Sequence, residues 1–209
     1  YEHSDLLRVL LLAILVLSII VPIGVNDVFA NDGNDILEIA SLEHDARQGQ
    51  YNSLVQVDSD TYALAYEGKD SDGFISTFTI SSDGTSIVQV DTLEHDDVRG
   101  QYNSLVHVDS DMYALAYTGA DDNGFISTFT IDSDGDITPI QIQNHANTSE
   151  EDDVANLEHD AINNRATSVL HNSLVKVNSN TIALAYAGAG EDGFISTFTI
   201  SSSGVITPI

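Results

Sequence analysis

The 209-residue chain carries 33 Asp+Glu against 6 Lys+Arg, a formal charge of −27, with 42% hydrophobic residues and no Cys. A negative field of this size repels phosphate backbones and excludes nucleic acid as a partner, leaving cations and basic surfaces as the favoured ones. The hydrophobic content supports a packed core, and the missing Cys excludes disulfides and thiolate metal sites.

Residues 9–21 form an apolar run broken only by Ser18, preceded by Arg8 and ended by Pro22. Val28-Phe29-Ala30 follows, then the polar Asn31-Asp32-Gly33. A basic flank, an apolar stretch and small residues before a polar start predict a signal peptide over residues 1–30, cut after Ala30. The alternative is a retained N-terminal membrane anchor, although the run is short for a span of about 20 residues. Either way the remainder is expected outside the cytoplasm, secreted or at the cell surface. Only an uncleaved N-terminal segment would meet a membrane. Residues 31–41 read as a linker or entry strand.

From residue 42 the chain repeats itself. Leu42-Glu43-His44-Asp45 returns as Leu93-Glu94-His95-Asp96 and as Leu157-Glu158-His159-Asp160. Asn52-Ser53-Leu54-Val55 returns at Asn103 and Asn172, and Gly73-Phe74-Ile75-Ser76-Thr77-Phe78-Thr79-Ile80 returns unchanged from Gly124 and Gly193. The first step is 51 residues; the step from Phe125 to Phe194 is 69, because 18 further residues sit in two places. These are an acidic stretch around residues 144–153 and a segment between Asp160 and Asn172. The repeats span 42–92, 93–156 (with the acidic insertion) and 157–209. A period near 50 residues lies in the range of propeller blades.

Within a unit the pattern has period two, as in a half-buried strand. Tyr62, Leu64 and Tyr66 alternate with Ala63 and Ala65, and Phe74, Phe78 and Ile80 share one face of the next run. Turns are predicted at Asp58-Ser59-Asp60, at residues 68–73 and at Ser81-Ser82-Asp83-Gly84. A fourth strand is predicted at residues 87–90, with counterparts at 137–142 and 205–209. The Leu-Glu-His-Asp segment is expected as the connection between units. Small alanines beside bulky neighbours suit face-to-face stacking of successive sheets. The expected fold is therefore all-β, a β-propeller of four-stranded antiparallel blades, with a β-sandwich or β-solenoid as the alternative. About three blades form an incomplete ring. With Tyr1 in place of Met and an end at Pro208-Ile209 inside a fourth strand, the chain is expected to be a fragment of a longer protein.

The run Asn-Ser-Leu-Val-x-Val, turn, Tyr-Ala-Leu-Ala-Tyr resembles the first two strands of blades in sialidase-like and related secreted propellers. Ser81-Ser82-Asp83-Gly84-Thr85 stands where those proteins carry the Asp-box, although this chain has no Trp to complete it. The strict copies are also similar to secreted repeat proteins of marine microbes. The resemblance covers the chain from about Leu42 onward and implies the blade more than any activity.

Two readings exist for His44, His95 and His159. With their flanking carboxylates they could converge as a zinc or manganese shell. A residue copied into every unit is more simply a tie that every unit needs, as for the His in propellers of the tryptophan-aspartate repeat type. Asp132, Asp134 and Asp136 come nearest to a calcium loop, but no closing acid follows Ile137-Thr138-Pro139. Weak calcium binding at several such turns is the expectation, with no other cofactor. Asn147-Thr148-Ser149 is a glycosylation acceptor.

No Gly-x-Ser-x-Gly elbow is present. Arg47, Arg99 and Arg165 follow each Asp at different offsets, as loop residues and not as the arginine triad that the sialidase resemblance would require. Tyr66, Tyr117 and Tyr186 read as core. The functional expectation is a non-catalytic extracellular binding or cell-envelope-associated module with a glycan or protein ligand. The alternative is a carbohydrate-active hydrolase of sialidase-like propeller shape.

The charge generates the first prediction. Self-repulsion at −27 opposes the compact state and is screened by salt over a Debye length of about 8 Å at physiological strength. The thermal midpoint should rise with sodium chloride, and calcium at matched ionic strength should add little. A large calcium-specific rise would mark true sites, because only ligand binding adds the mass-action stabilisation.

Overall fold

The computed structural model describes residues 38–140, 156–160, 169–188 and 192–209. Residues 1–30, expected as a signal peptide, and Asn147 and Arg165 lie outside them. Among the described residues no helix is long and apolar enough to cross a membrane.

Three antiparallel sheets follow one another along the chain. The first comprises β1 (Gln50–Gln56), β2 (Thr61–Glu67), β3 (Gly73–Ile80) and β4 (Ile87–Asp96), in spatial order 1-2-3-4. The second comprises β5 (Gln101–Asp109), β6 (Met112–Thr118), β7 (Gly124–Ile131) and β8 (Ile137–Pro139), with β9 (Asn156–Asp160) also on β7. The third is β10 (Leu170–Lys176), β11 (Thr181–Ala187), β12 (Gly193–Ile200) and β13 (Ile206–Pro208). The invariant Phe-Ile-Ser-Thr-Phe-Thr-Ile is the third strand every time. Its register is preserved too: Ala65 opposes Ile75, Ala116 opposes Ile126 and Ala185 opposes Ile195.

The sheets pack face to face as blades. Ala63, Ala65 and Ile75 of the first sheet cluster with Leu105, Tyr113, Leu115 and Phe129 of the second. Ala114, Ala116 and Ile126 then meet Ile182, Leu184, Phe198 and Ile200 of the third. Each sheet thus offers bulky side chains on one face and an alanine face on the other, the division that the period-two pattern predicts.

Polar residues of the repeat tie the seams. The Leu105 amide donates to Ser53 Oγ at 2.9 Å, and the Leu174 amide to Ser104 Oγ at 2.8 Å. Thr77 Oγ1 donates to the Gly135 carbonyl at 2.6 Å, and Thr128 Oγ1 to that of Gly204 at 3.0 Å. First strands therefore adjoin first strands, and the third strand of one sheet reaches the last turn of the next. This is the radial arrangement of a β-propeller, here an arc of three blades.

One element differs from expectation. Leu93-Glu94-His95-Asp96 is not a connection but the second half of β4, pairing with Gly73, Phe74 and Ile75. A bulge opposite Thr77 allows it, since the Asp91 amide donates to Thr77 Oγ1 at 3.2 Å and the strand resumes beyond. In the second sheet the same strand is split. β8 pairs with Phe129, Thr130 and Ile131, and β9 with Gly124, Phe125, Ile126 and Ser127, with the acidic insertion between them.

Where the chain passes from the first sheet to the second, Gly100 crosses the start of β3. Its amide donates to the Ser71 carbonyl at 2.9 Å, and a methyl group on Gly100 would overlap Gly73 Cα. Gly100→Ala should therefore destabilise by about 1–3 kcal/mol. Gly193→Ala, with no described residue within 4 Å of the added carbon, should change stability by less than about 0.5 kcal/mol. Urea unfolding of both variants checks the contrast.

Candidate functional site

Two of the Leu-Glu-His-Asp histidines, His44 and His95, rest on a tyrosine of their own repeat. His95 leaves β4 and meets Tyr117 of the second sheet edge-on, ring centroids 4.6 Å apart, with Phe129 at 6.2 Å. His44 meets Tyr66 in the same way at 4.7 Å. The tie therefore stays within one sequence repeat, while for His95 it crosses from one sheet to the next. Both His95 ring nitrogens are shut away from solvent without a hydrogen-bond partner. Burial pushes its pKa down to about 3, so the imidazole is neutral. The following Asp caps a turn. Asp45 Oδ1 accepts from the Arg47 and Gln48 amides at 2.7 and 3.0 Å, and Asp96 Oδ1 from those of Val98 and Arg99 at 2.9 Å each. The Gln48 amide, followed by that of Arg47, holds the Asp45 carboxyl below its usual range. His159 lies on β9, and its side chain is outside the described residues.

The Asp-Gly turns are occupied likewise. Asp83 Oδ1 accepts from Ser81 Oγ at 2.7 Å and from the Thr85 amide and hydroxyl at 3.1 and 2.8 Å. These bonds, the Ser81 hydroxyl first, bring its pKa down to about 2. Asp132 Oδ1 closes the equivalent turn by accepting from the Asp134 and Asp136 amides, both at 3.0 Å. Asp132, Asp134 and Asp136 are all exposed. Among the described residues no group of three or more His, Asp or Glu is placed to hold a metal ion. Arg99 pairs with Asp122, and Arg47 is exposed.

A different set of residues draws together at one end of the sheets. Each first strand opens with a bulge, between Gln50 and Ser53, Gln101 and Ser104, and Leu170 and Ser173. The bulged residues Tyr51, Tyr102 and His171 have φ of 51°, 51° and 58°. Such left-handed backbone costs a non-glycine residue about 1–2 kcal/mol. The turns after the second strands share this end and add Asp70, Ser71, Asp121 and Asp122, with φ between 55° and 76°. Among the described residues, Ser110 alone of the eight strained non-glycine positions lies elsewhere. Strain of this kind gathers at functional sites.

The three bulged side chains form a row. The Tyr51 and Tyr102 rings are 4.4 Å apart, and Tyr102 lies 5.2 Å from His171. Tyr51 and Tyr102 are half-buried, and His171 is exposed. A hydrogen bond with Tyr102, then desolvation and the neighbouring Tyr102 and Glu67 charges, raise the Tyr51 phenol's pKa. Behind the row Glu67, buried, accepts from Gln101 Nε2 at 3.0 Å. At the same end burial, followed by a hydrogen bond with the Asp72 carboxyl and the Asp72 and Asp97 charges, raises the Glu94 pKa. The row offers flat apolar ring surface edged by amides and carboxylates. Sequence reading passed over it because nothing in Gln-Tyr-Asn-Ser announces a bulge.

No known family profile matches the chain, and no curated protein does so either. Among solved structures it is similar to a bifunctional GH43-CE protein of Bacteroides eggerthii at 12% identity and a TM-score of 0.32. The similarity covers 78% of this chain and 28% of that one, so the chain spans well under a third of that protein's length.

The buried His95 yields a pH prediction. Its folded pKa, about 3, lies below the ordinary 6.5 of the unfolded chain. Below pH 6.5 only the unfolded state gains the proton, so this contribution is lost as pH falls toward 3. Between pH 6.5 and 5 the native chain should lose about 2 kcal/mol more than His95→Phe, at about 1.4 kcal/mol per unit. Parallel urea-midpoint curves would show that the imidazole titrates in the folded state.

Proposed function

We propose that the protein is a non-catalytic extracellular binding module and that the row of Tyr51, Tyr102 and His171 is its binding face for a glycan. The observation that carries this reading is the concentration of strained, non-glycine backbone at that end, with an accessible aromatic at the same bulge of every first strand. Sugar rings present apolar C–H faces that stack on aromatic surfaces, and their hydroxyls need the acceptors and donors that Gln50 and Asn52, beside Tyr51 in sequence, can supply. The −27 charge favours a neutral or basic sugar over a sulfated or uronic one.

The chain has 8 Tyr and no Trp, so its emission is that of tyrosine, to which Tyr51 and Tyr102 of the row contribute two of the eight rings. Titration with neutral and amino-sugar oligosaccharides should give a saturable signal. Tyr102→Ala, which removes the central ring, should weaken it roughly tenfold or more. Full-strength binding by that variant would defeat the proposal. Release of reducing sugar during the titration would favour the hydrolase.

A further inference from the structure

At the strained end of the sheets the amide donors are engaged and acceptors are left open. The Asn103 side-chain nitrogen donates to the Gly100 carbonyl at 2.8 Å, and that of Asn172 to the Tyr102 carbonyl at 3.2 Å. These asparagines directly follow Tyr102 and His171 of the row, and each is 9% exposed. The Oδ1 atoms of both are shut away from solvent without a hydrogen-bond partner among the described residues. Gln101, on the other side of Tyr102, has its nitrogen engaged by Glu67. A buried amide oxygen left unpaired is costly, so each of the two marks a place for a donor that the chain does not supply.

Glu67 adds charge to the same end. It is 2% exposed and accepts from the neutral Gln101 amide at 3.0 Å. Its counterparts in the other repeats are Thr118 and Ala187. Thr118 is satisfied within the chain, its hydroxyl donating to the Val169 carbonyl, so the repeated frame has no need of a carboxylate here. The ion pairs among the described residues are Lys69–Asp70 and Arg99–Asp122, and neither involves Glu67. A carboxylate withdrawn from water with no cation beside it projects a strong field, because little solvent intervenes to weaken it. That field reaches the row. After the Tyr102 hydrogen bond, desolvation and the Tyr102 charge, the Glu67 charge also raises the Tyr51 pKa.

We infer that the row of Tyr51, Tyr102 and His171 selects a glycan bearing free ammonium groups, an unacetylated hexosamine polymer, and that Glu67 is the residue that sets this preference. The inference rests on the glycan reading of the row and narrows it. A sugar hydroxyl both donates and accepts, so open acceptors by themselves accommodate any sugar. An ammonium only donates, up to three times, and brings the positive charge that Glu67 lacks in the chain. The faces of Tyr51 and Tyr102 attract cations as well. Acetylation of the amine removes the charge and two of its three donors, and sets a carbonyl oxygen in the field of Glu67.

Calorimetric titration of the full chain, in a mildly acidic buffer that keeps the ligand amines protonated, compares a glucosamine tetramer with its fully N-acetylated counterpart. The amine form should bind about tenfold more tightly or better. Glu67→Gln, which keeps an oxygen to accept from Gln101, should remove most of that preference and leave the N-acetylated affinity within about threefold. A charge of −27 attracts any cation, so Asp134→Asn, the same change of charge on an exposed turn, serves as the control and should keep the preference. A second measurement needs no variant. In about 0.5 M sodium chloride exposed charges are screened and a buried one much less, so the preference should survive. Equal binding of the two tetramers would overturn the inference and leave the glycan reading standing, whereas binding of neither would overturn both. A preference abolished by salt, or lowered as much by Asp134→Asn as by Glu67→Gln, would belong to the overall charge and remove Glu67 from its role.

Discussion

Stacked sheets stand about 10 Å apart, and side chains from both inner faces must share that gap. In this protein one face gives up its share. Ala63 and Ala65 form a shallow floor on which Tyr113 and Leu115 lie, and Ala114 and Ala116 repeat the floor for Ile182 and Leu184. If both faces were bulky the sheets could not reach the distance at which Ser53 meets the Leu105 amide and Thr77 the Gly135 carbonyl. The apolar fit sets the spacing, and the hydroxyl ties fix the register within it.

This division of labour accounts for the strictness of the copies. Ser53, Ser104, Thr77 and Thr128 each bond to an adjoining sheet, so a strand carrying them cannot drift without breaking the seam. Their identity in every repeat looks like redundancy in the sequence; in the fold it is the repeated use of one joint. The blade itself was legible because alternation along Tyr62–Tyr66 and Phe74–Ile80 separates the two faces directly. The fourth strand was legible only in part. Glu94, His95 and Asp96 are polar, and polar residues in a row read as a loop unless the bulge at Thr77 that carries the strand onward is known. His95 belongs to one sheet and rests on another, a placement that no local pattern encodes.

The two ends of the sheets are built differently. At one end Asp58, Asp83 and Asp132 close short turns through bonds to their own backbone. At the other end Tyr51, Tyr102 and His171 are held in left-handed backbone by paired strands on either side of each bulge. The rigid seams supply the constraint that such strained positions need. The candidate site escaped sequence reading for the same reason, because strain belongs to the backbone path and not to residue type.

The split strand of the second sheet has a practical side. The chain follows the edge of β7 as far as Ile140, whose amide donates to the Thr128 carbonyl at 3.2 Å, and pairs with the same edge again from Asn156, and pairing on either side of the excursion follows the pattern of the unbroken β4. The length of what lies between is thereby uncoupled from the alignment of the blade. That makes the excursion a natural port for grafting: a foreign loop, an epitope or a small folded domain with closely spaced ends could be spliced there, leaving both seams and the aromatic row as they are.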